Sequence, residues 1–492
     1  VTPVLSRRRV PCALDAQHIK TSSFSSLHQV GNNLKYWGKN EDVVSRTLQL
    51  FLEMTMGCGS AKVLLSLDPI QYLLHHHTPE YFPFLSVPAN SRHRTSFHTT
   101  LARLILSVVD EGTSAAFESF MEPILRVLGR LQETTEMRTE EAKQAVIGVC
   151  RDLRGVTAAT QNRKAYCALF ELLYPQYLPV FVRAAEVWFD TPEVTTALLK
   201  FMQEFVHNKA QRLMFDQSSP NGILLFREAS RVLVAYGTRV LQHPFRVDVY
   251  KEKYKGIAIS LNVLTCALSG NYVNFGVFAL YEDPALDNAL DVVLRLALSI
   301  PFQEILAFPK LSKAYFAFFE VLFRNHIPAV LSLSTPVFLQ VIQAQHEGLQ
   351  SVDPLLSAQC ASTIDYLATY YYQNKSKDRP PMRALRNHLQ AQPDVIFTLL
   401  STLFNQLLFG SVNHWAITRP VLSLMLASEE DFNAYKEHMI SSQSSPENQA
   451  RLREEFARLC NDLQRNLEPS NRERVGQKLT VFRVAVSQFL AS

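Results

Sequence analysis

Apolar residues recur along most of this chain at steps of three and four. Between Glu193 and His207, the residues Val194, Ala197, Leu198, Phe201, Met202, Phe205 and Val206 fall at i, i+3, i+4, i+7, i+8, i+11 and i+12. Thr195, Lys200, Gln203 and Glu204 fall opposite them, so the spacing predicts a helix with one buried stripe. Ala314 to Phe323 is apolar nearly all round, which predicts a helix covered by neighbours on both sides. Asn271 to Tyr281 fits a short helix, with a strand as the alternative because aromatic and β-branched residues surround Gly276.

Proline follows a polar residue at the start of segment after segment: Thr191-Pro192, Ser219-Pro220, Asp283-Pro284, Thr335-Pro336, Asp353-Pro354 and Ser445-Pro446. Ser, Thr or Asp can accept hydrogen bonds from the free N–H groups of a first turn, and proline at the first helical position lacks only an N–H that had no partner. Each pair therefore reads as a helix start. Helices that begin again every few tens of residues over 492 residues exceed what one core serves, and they predict a repeat stack. The fold class is all-α, an α-solenoid of HEAT-type antiparallel helix pairs. At roughly 40 to 47 residues per pair it holds about ten or eleven repeats.

Residues 1–33 are Ser-rich and weakly periodic and read as a linker-like, poorly ordered segment. The solenoid is expected over 34–492. Its last helix pair, 446–492, is expected to cap the stack, because Leu452, Phe456, Leu459 and then Val475, Leu479, Phe482 line one face under many charges. Asn374 to Pro381 and Ser441 to Ser445 read as polar connectors.

Composition narrows the function classes. Hydrophobic residues at 47% and charged residues at 19% give enough apolar surface for a folded chain. The net charge of +4 implies no general attraction to nucleic acid. The longest apolar stretch, Val395 to Phe409, is broken by polar residues and falls short of the ~20 that a bilayer demands, so no membrane insertion is expected. Seven cysteines stand singly without a CxxC, and no apolar run follows Arg7-Arg8-Arg9, which together predict a reducing, cytosolic or nuclear compartment. A start at Val1 reads as a fragment.

No motif carries catalysis. His75-His76-His77 lacks the i, i+4 spacing of helical zinc ligands and reads better as a helix C-terminus, where His side chains meet the negative end of the dipole. Gly57 to Lys62 lacks the spacing of a phosphate loop. Cys150 and Arg154 lie too close in sequence to cradle a phosphate, so Cys150 reads as core. Without a GxSxG, an HExxH or a dinucleotide fingerprint, the expectation is no enzyme, no cofactor and no metal.

Partner contact is the remaining chemistry. Arg151, Asp152 and Arg154 alternate in sign at a helix end and read as ion pairs between repeats or as part of a binding ridge. Asn208, Arg212, Asp216 and Asn221 bunch around a helix junction, where capping accounts for most of them. Asn271, Tyr272 and Asn274 complete the candidate set. The basic loop Lys375, Lys377, Arg379, Arg383 and Arg386 lacks interleaved aromatics and reads as solvated, whereas Tyr366 and Tyr370-Tyr371-Tyr372 could serve an interface.

Four strings extend this reading: Arg151 to Gly155, Phe205 to Ser230, Leu268 to Leu290 and Arg465 to Arg483. In order and content they resemble the C-terminal half of an export receptor of the importin-β superfamily of nuclear transport receptors, and the likeness runs from about Leu34 to Phe489. The resemblance implies a HEAT superhelix that binds Ran-GTP with protein cargo, meets nuclear pore proteins and shuttles between nucleus and cytoplasm. It also implies that the principal Ran contact lies in N-terminal repeats absent from this chain. A static HEAT scaffold or adaptor is the alternative.

Overall fold

The structure, a computed structural model, describes residues 13–56, 60–107, 114–215, 219–244, 248–410, 414–487 and 489–490. Among these the chain is helical with short connections and no strand, so the all-α expectation holds. It divides into two compact units, Val1–Leu296 and Ala297–Ser492. The periodicity alone predicts one stack from residue 34. In a repeat array each pair meets chiefly its neighbours, so the local pattern carries no mark of such a division.

In the first unit alternate helices form two rows. Glu41–Met54, His93–Leu106, Glu140–Ala159, Pro192–Val206 and Lys255–Ser269 pack one on the next. Asp68–His75, Ser114–Glu133, Leu178–Val187 and Asn221–Gln242 make the second row. The rows meet through contacts such as Ser114–Glu133 on Glu140–Ala159 and Pro192–Val206 on Asn221–Gln242. This layered helix-pair stack is the HEAT-type solenoid arrangement. The second unit repeats the scheme, with Pro309–Asn325, Pro354–Asn374, His414–Ala427 and Pro469–Val486 in one row. Thr335–Leu349, Val395–Phe409, Glu429–Ser441 and Pro446–Cys460 form its other row.

All six polar-proline pairs stand at helix starts. Asp283 and Asp353 accept from the N–H groups of Ala285 and Leu355 at 3.0 Å, and Ser219 accepts from Asn221 at 3.3 Å. Thr191 and Ser445 make no such bond, so the fixed φ of proline alone marks those starts. Pro309–Asn325 buries Tyr315, Phe316, Phe318, Phe319 and Leu322, as its all-round apolar pattern requires.

Two expectations change. Within 1–33, read as a linker, residues from Ala13 onward belong to the helix Ala13–Tyr36, whose Leu27, Val30 and Leu34 are buried. Spaced at i, i+3 and i+7, they pack on Glu41–Met54 and Asp68–His75, and tertiary burial outweighs a serine-rich local sequence. In 271–281 only Gly276–Leu280 is helical, and the preceding residues form an irregular turn with Asn271 at φ 55°.

Candidate functional site

Glu140–Ala159 begins with Thr139 accepting from the Ala142 N–H at 3.2 Å, with Glu140 and Glu141 at the positive end of the dipole. Two glycines seven residues apart then face the preceding helix. The side-chain position of Gly148 lies 3.1 Å from the Arg94 guanidinium, and that of Gly155 lies 2.5 Å from the Thr95 carbonyl oxygen. The absence of side chains there lets His93–Leu106 approach until Thr95 Oγ1 donates to the Arg151 carbonyl at 3.1 Å and Thr99 Oγ1 to the Gly155 carbonyl at 3.1 Å.

This approach brings Arg94 onto Asp152. Nε donates to Oδ1 at 2.8 Å, Nη2 donates to Oδ2, and Nη1 donates to the Leu85 carbonyl at 2.7 Å. His98 Nδ1 stands 3.1 Å from Asp152 Oδ1 and 3.0 Å from the Arg94 carbonyl. Burial opposes the Asp152 charge, but the Arg94 guanidinium and His98 outweigh it and hold the carboxyl well below the usual carboxylate range.

The three residues line a cavity of about 900 Å³ together with His77. His77 Nε2 lies 3.0 Å from the Phe120 carbonyl, which can only accept, so Nε2 carries the proton and Nδ1 has a free lone pair. By the same logic His98 Nδ1 carries its proton. The buried His77 Nδ1 and His98 Nε2 have no hydrogen-bond partner. Burial, then the neighbouring His98, pushes the His77 pKa down to about 3, so it is neutral near pH 7. A His98–Asp152 pair could orient a general base, but no hydroxyl or thiol meets His98 Nε2, and Cys150 is fully buried with its pKa pushed up by desolvation. Among the described residues no group of three or more His, Cys, Asp or Glu side chains could hold a metal ion.

Of the candidates read from sequence, Arg151 and Arg154 lie half-buried on the same helix, on either side of the buried Asp152 in sequence. Arg212 is fully buried. Its guanidinium donates to the carbonyls of Thr157, Thr160, Glu204 and His207 at 2.6, 3.1, 2.5 and 3.1 Å, joining the C-terminal ends of Glu140–Ala159 and Pro192–Val206. Asn208 Nδ2 donates to the Gly270 carbonyl at 2.6 Å, and its Oδ1 accepts from the Leu213 N–H at 2.8 Å. It is thereby brought beside the turn that carries Asn271 and Tyr272. Tyr272 fills the space that Gly222 and Gly270 leave open, and its hydroxyl is buried. Asn221 is half-buried at its helix start. Asn271 and Asn274 are exposed, and Asn274 Oδ1 accepts from the Gly276 N–H at 3.1 Å. Asp216 lies outside the described residues, as do Cys12, Cys58 and the glycines at 57 and 59.

Arg94, His77 and His98 were not among those candidates. His75 and His76 do close their helix, with Nδ1 atoms 2.7 and 3.0 Å from the Gln71 and Tyr72 carbonyls, while His77 turns inward. The Gly148 and Gly155 spacing around Asp152 was the available sign of a close helix partner. Leu280 and Tyr281 are each 74% exposed, which their apolar sequence does not signal.

Successive helix pairs stacked in two rows define a helical-repeat protein. Within that class the chain is similar to exportin-7. The family described as "Exportin-7-like, TPR domain" matches residues 24–93. Exportin-7-B of Xenopus laevis is 39% identical over 481 residues, covering 94% of this chain and 44% of that protein. Ran-binding protein 17 of Homo sapiens is 37% identical over 486 residues, covering 95% and 44%. Exportin-7 of Dictyostelium discoideum is 31% identical over 465 residues, covering 94% and 46%. The chain thus spans less than half the length of these relatives, and the likeness is to the C-terminal portion of exportin-7.

Proposed function

We propose that the protein carrying this chain is a nuclear export receptor that binds Ran-GTP together with protein cargo. It carries the cargo through the nuclear pore by contacts with pore proteins, shuttles between nucleus and cytoplasm, and catalyses nothing itself. The observation that carries this reading is the likeness, over some nineteen-twentieths of the chain, to proteins named exportin-7 and Ran-binding protein 17. The two-row stacks support it physically. Each helix pair meets mainly its neighbours, so small adjustments at successive interfaces add up along a stack. If Ran-GTP and cargo favour the same adjustment, each raises the affinity of the other by the same factor.

Cargo affinity measured with and without Ran-GTP tests the coupling. A tighter complex with Ran-GTP, and no gain with Ran-GDP, is the expected result. Equal affinities in all three conditions are what a static scaffold gives and would overturn the proposal.

A further inference from the structure

Arginines in the first unit commonly find oxygen partners. Arg138 pairs with Asp190 at 2.7 Å, Arg183 donates to the carbonyls of Leu131 and Thr134, and Arg212 is surrounded by carbonyls. Arg151 and Arg154 differ. Neither guanidinium has a hydrogen bond or an ion pair among the described residues, although both are half-buried. Arg151 Nε is buried with no partner.

The nearest carboxylate in sequence cannot serve them. Asp152, between them, is turned to the preceding helix, and its two oxygens are taken by Arg94 and His98. The local charge is therefore an excess of guanidinium, and burial, then Arg154, then Arg94 lower the Arg151 pKa. At i and i+3 the two side chains are neighbours on one helix face. The backbone beneath them is held by the Arg151 and Gly155 carbonyls, which accept from Thr95 and Thr99, so the pair rests on a fixed platform.

We infer that Arg151 and Arg154 form a docking point for an acidic segment of a protein partner, each guanidinium taking a carboxylate. Carboxylate suits the planar fork of arginine, which can donate two parallel hydrogen bonds. Two forks one turn apart match successive acidic side chains of one segment better than a single small anion. The site stands whether or not the protein meets Ran, so its test is independent of the transport reading.

Fluorescence anisotropy of a labelled hexaglutamate peptide with the full chain tests the site. The peptide is expected to bind, to weaken as salt rises, and to lose about tenfold or more in affinity in R151Q/R154Q. R126Q/R130Q, on an exposed face of Ser114–Glu133, is the charge-matched control and is expected to stay within about twofold of the parent. The single R154Q variant, which removes a half-buried side chain with no hydrogen bond or ion pair among the described residues, serves if the double variant does not fold, and is expected to weaken binding more than R126Q. Three results would overturn the inference: no binding by the parent chain, equal losses in the two double variants, or displacement by inorganic phosphate as effective as by unlabelled hexaglutamate.

Discussion

Arg94 and Asp152 form a two-bond ion pair between successive helices of one row, with only 13% and 7% of their side chains exposed. The pair exists because Gly148 and Gly155 let the helices close and because the Leu85 carbonyl takes the remaining Arg94 nitrogen. Removing one member of such a pair leaves the other charge buried alone. Asp152→Asn is therefore expected to destabilise the first unit by about 3–5 kcal/mol. The urea midpoint of the first unfolding transition measures it. Asp152→Asn with Arg94→Met, which removes both charges, should recover much of the loss, and an unchanged midpoint in the single variant would contradict the account.

Acid should weaken the same region, with a sign fixed by two groups. The folded pKa of His77 is about 3, below its ordinary 6.5, so the unfolded chain takes up the proton first as pH falls. Stability is full above pH 6.5 and declines toward pH 3. Asp152, whose folded pKa is depressed, contributes stability above its unfolded value of roughly 3.9 and loses it only below that. Thermal melts at pH 7.5 and pH 5 should therefore differ in the parent chain. His77→Gln, whose amide can still donate to the Phe120 carbonyl, should narrow the difference; an unaltered difference would rule out His77 as a source.

Gly155 should tolerate no side chain. A methyl group there would lie 2.5 Å from the Thr95 carbonyl oxygen and 3.0 Å from His98 Cβ, and backbone cannot step aside cheaply. Gly155→Ala is expected to cost about 1–3 kcal/mol. Gly129→Ala, in a helix with nothing within 4 Å, should instead gain about 0.5–1 kcal/mol. Equal effects in the two variants would refute the close approach.

Arg212 joins two helix ends by donating to four carbonyls from a fully buried guanidinium. Lysine has three donors at one point and cannot reproduce this fork. Arg212→Lys is expected to lower stability by about 1–3 kcal/mol, because buried hydrogen bonds to a charged donor are lost without full replacement. Chemical denaturation measures the loss, and near-parent stability would show that the carbonyls find other donors.

The sequence showed helices and their beginnings because both are local. Asp353-Pro354 is a capping residue beside a proline, and no distant partner is needed to read it. It hid Ala13–Tyr36 because Leu27, Val30 and Leu34 are sparse among serines and are organised by helices that follow. It placed Arg212 in the right neighbourhood but could not show that four carbonyls converge on it. Asp152 stood out by its alternating neighbours, while Arg94 lies 58 residues away and is joined to it only by the stacking of repeats. The unpaired state of Arg151 and Arg154 is likewise a fact of packing.

The transport reading meets its most direct test in the native protein that carries this chain, passed over immobilised Ran loaded with a non-hydrolysable GTP analogue or with GDP. The account predicts retention on the GTP form and passage through the GDP form. Equal behaviour on the two columns, whether retained or not, would contradict it.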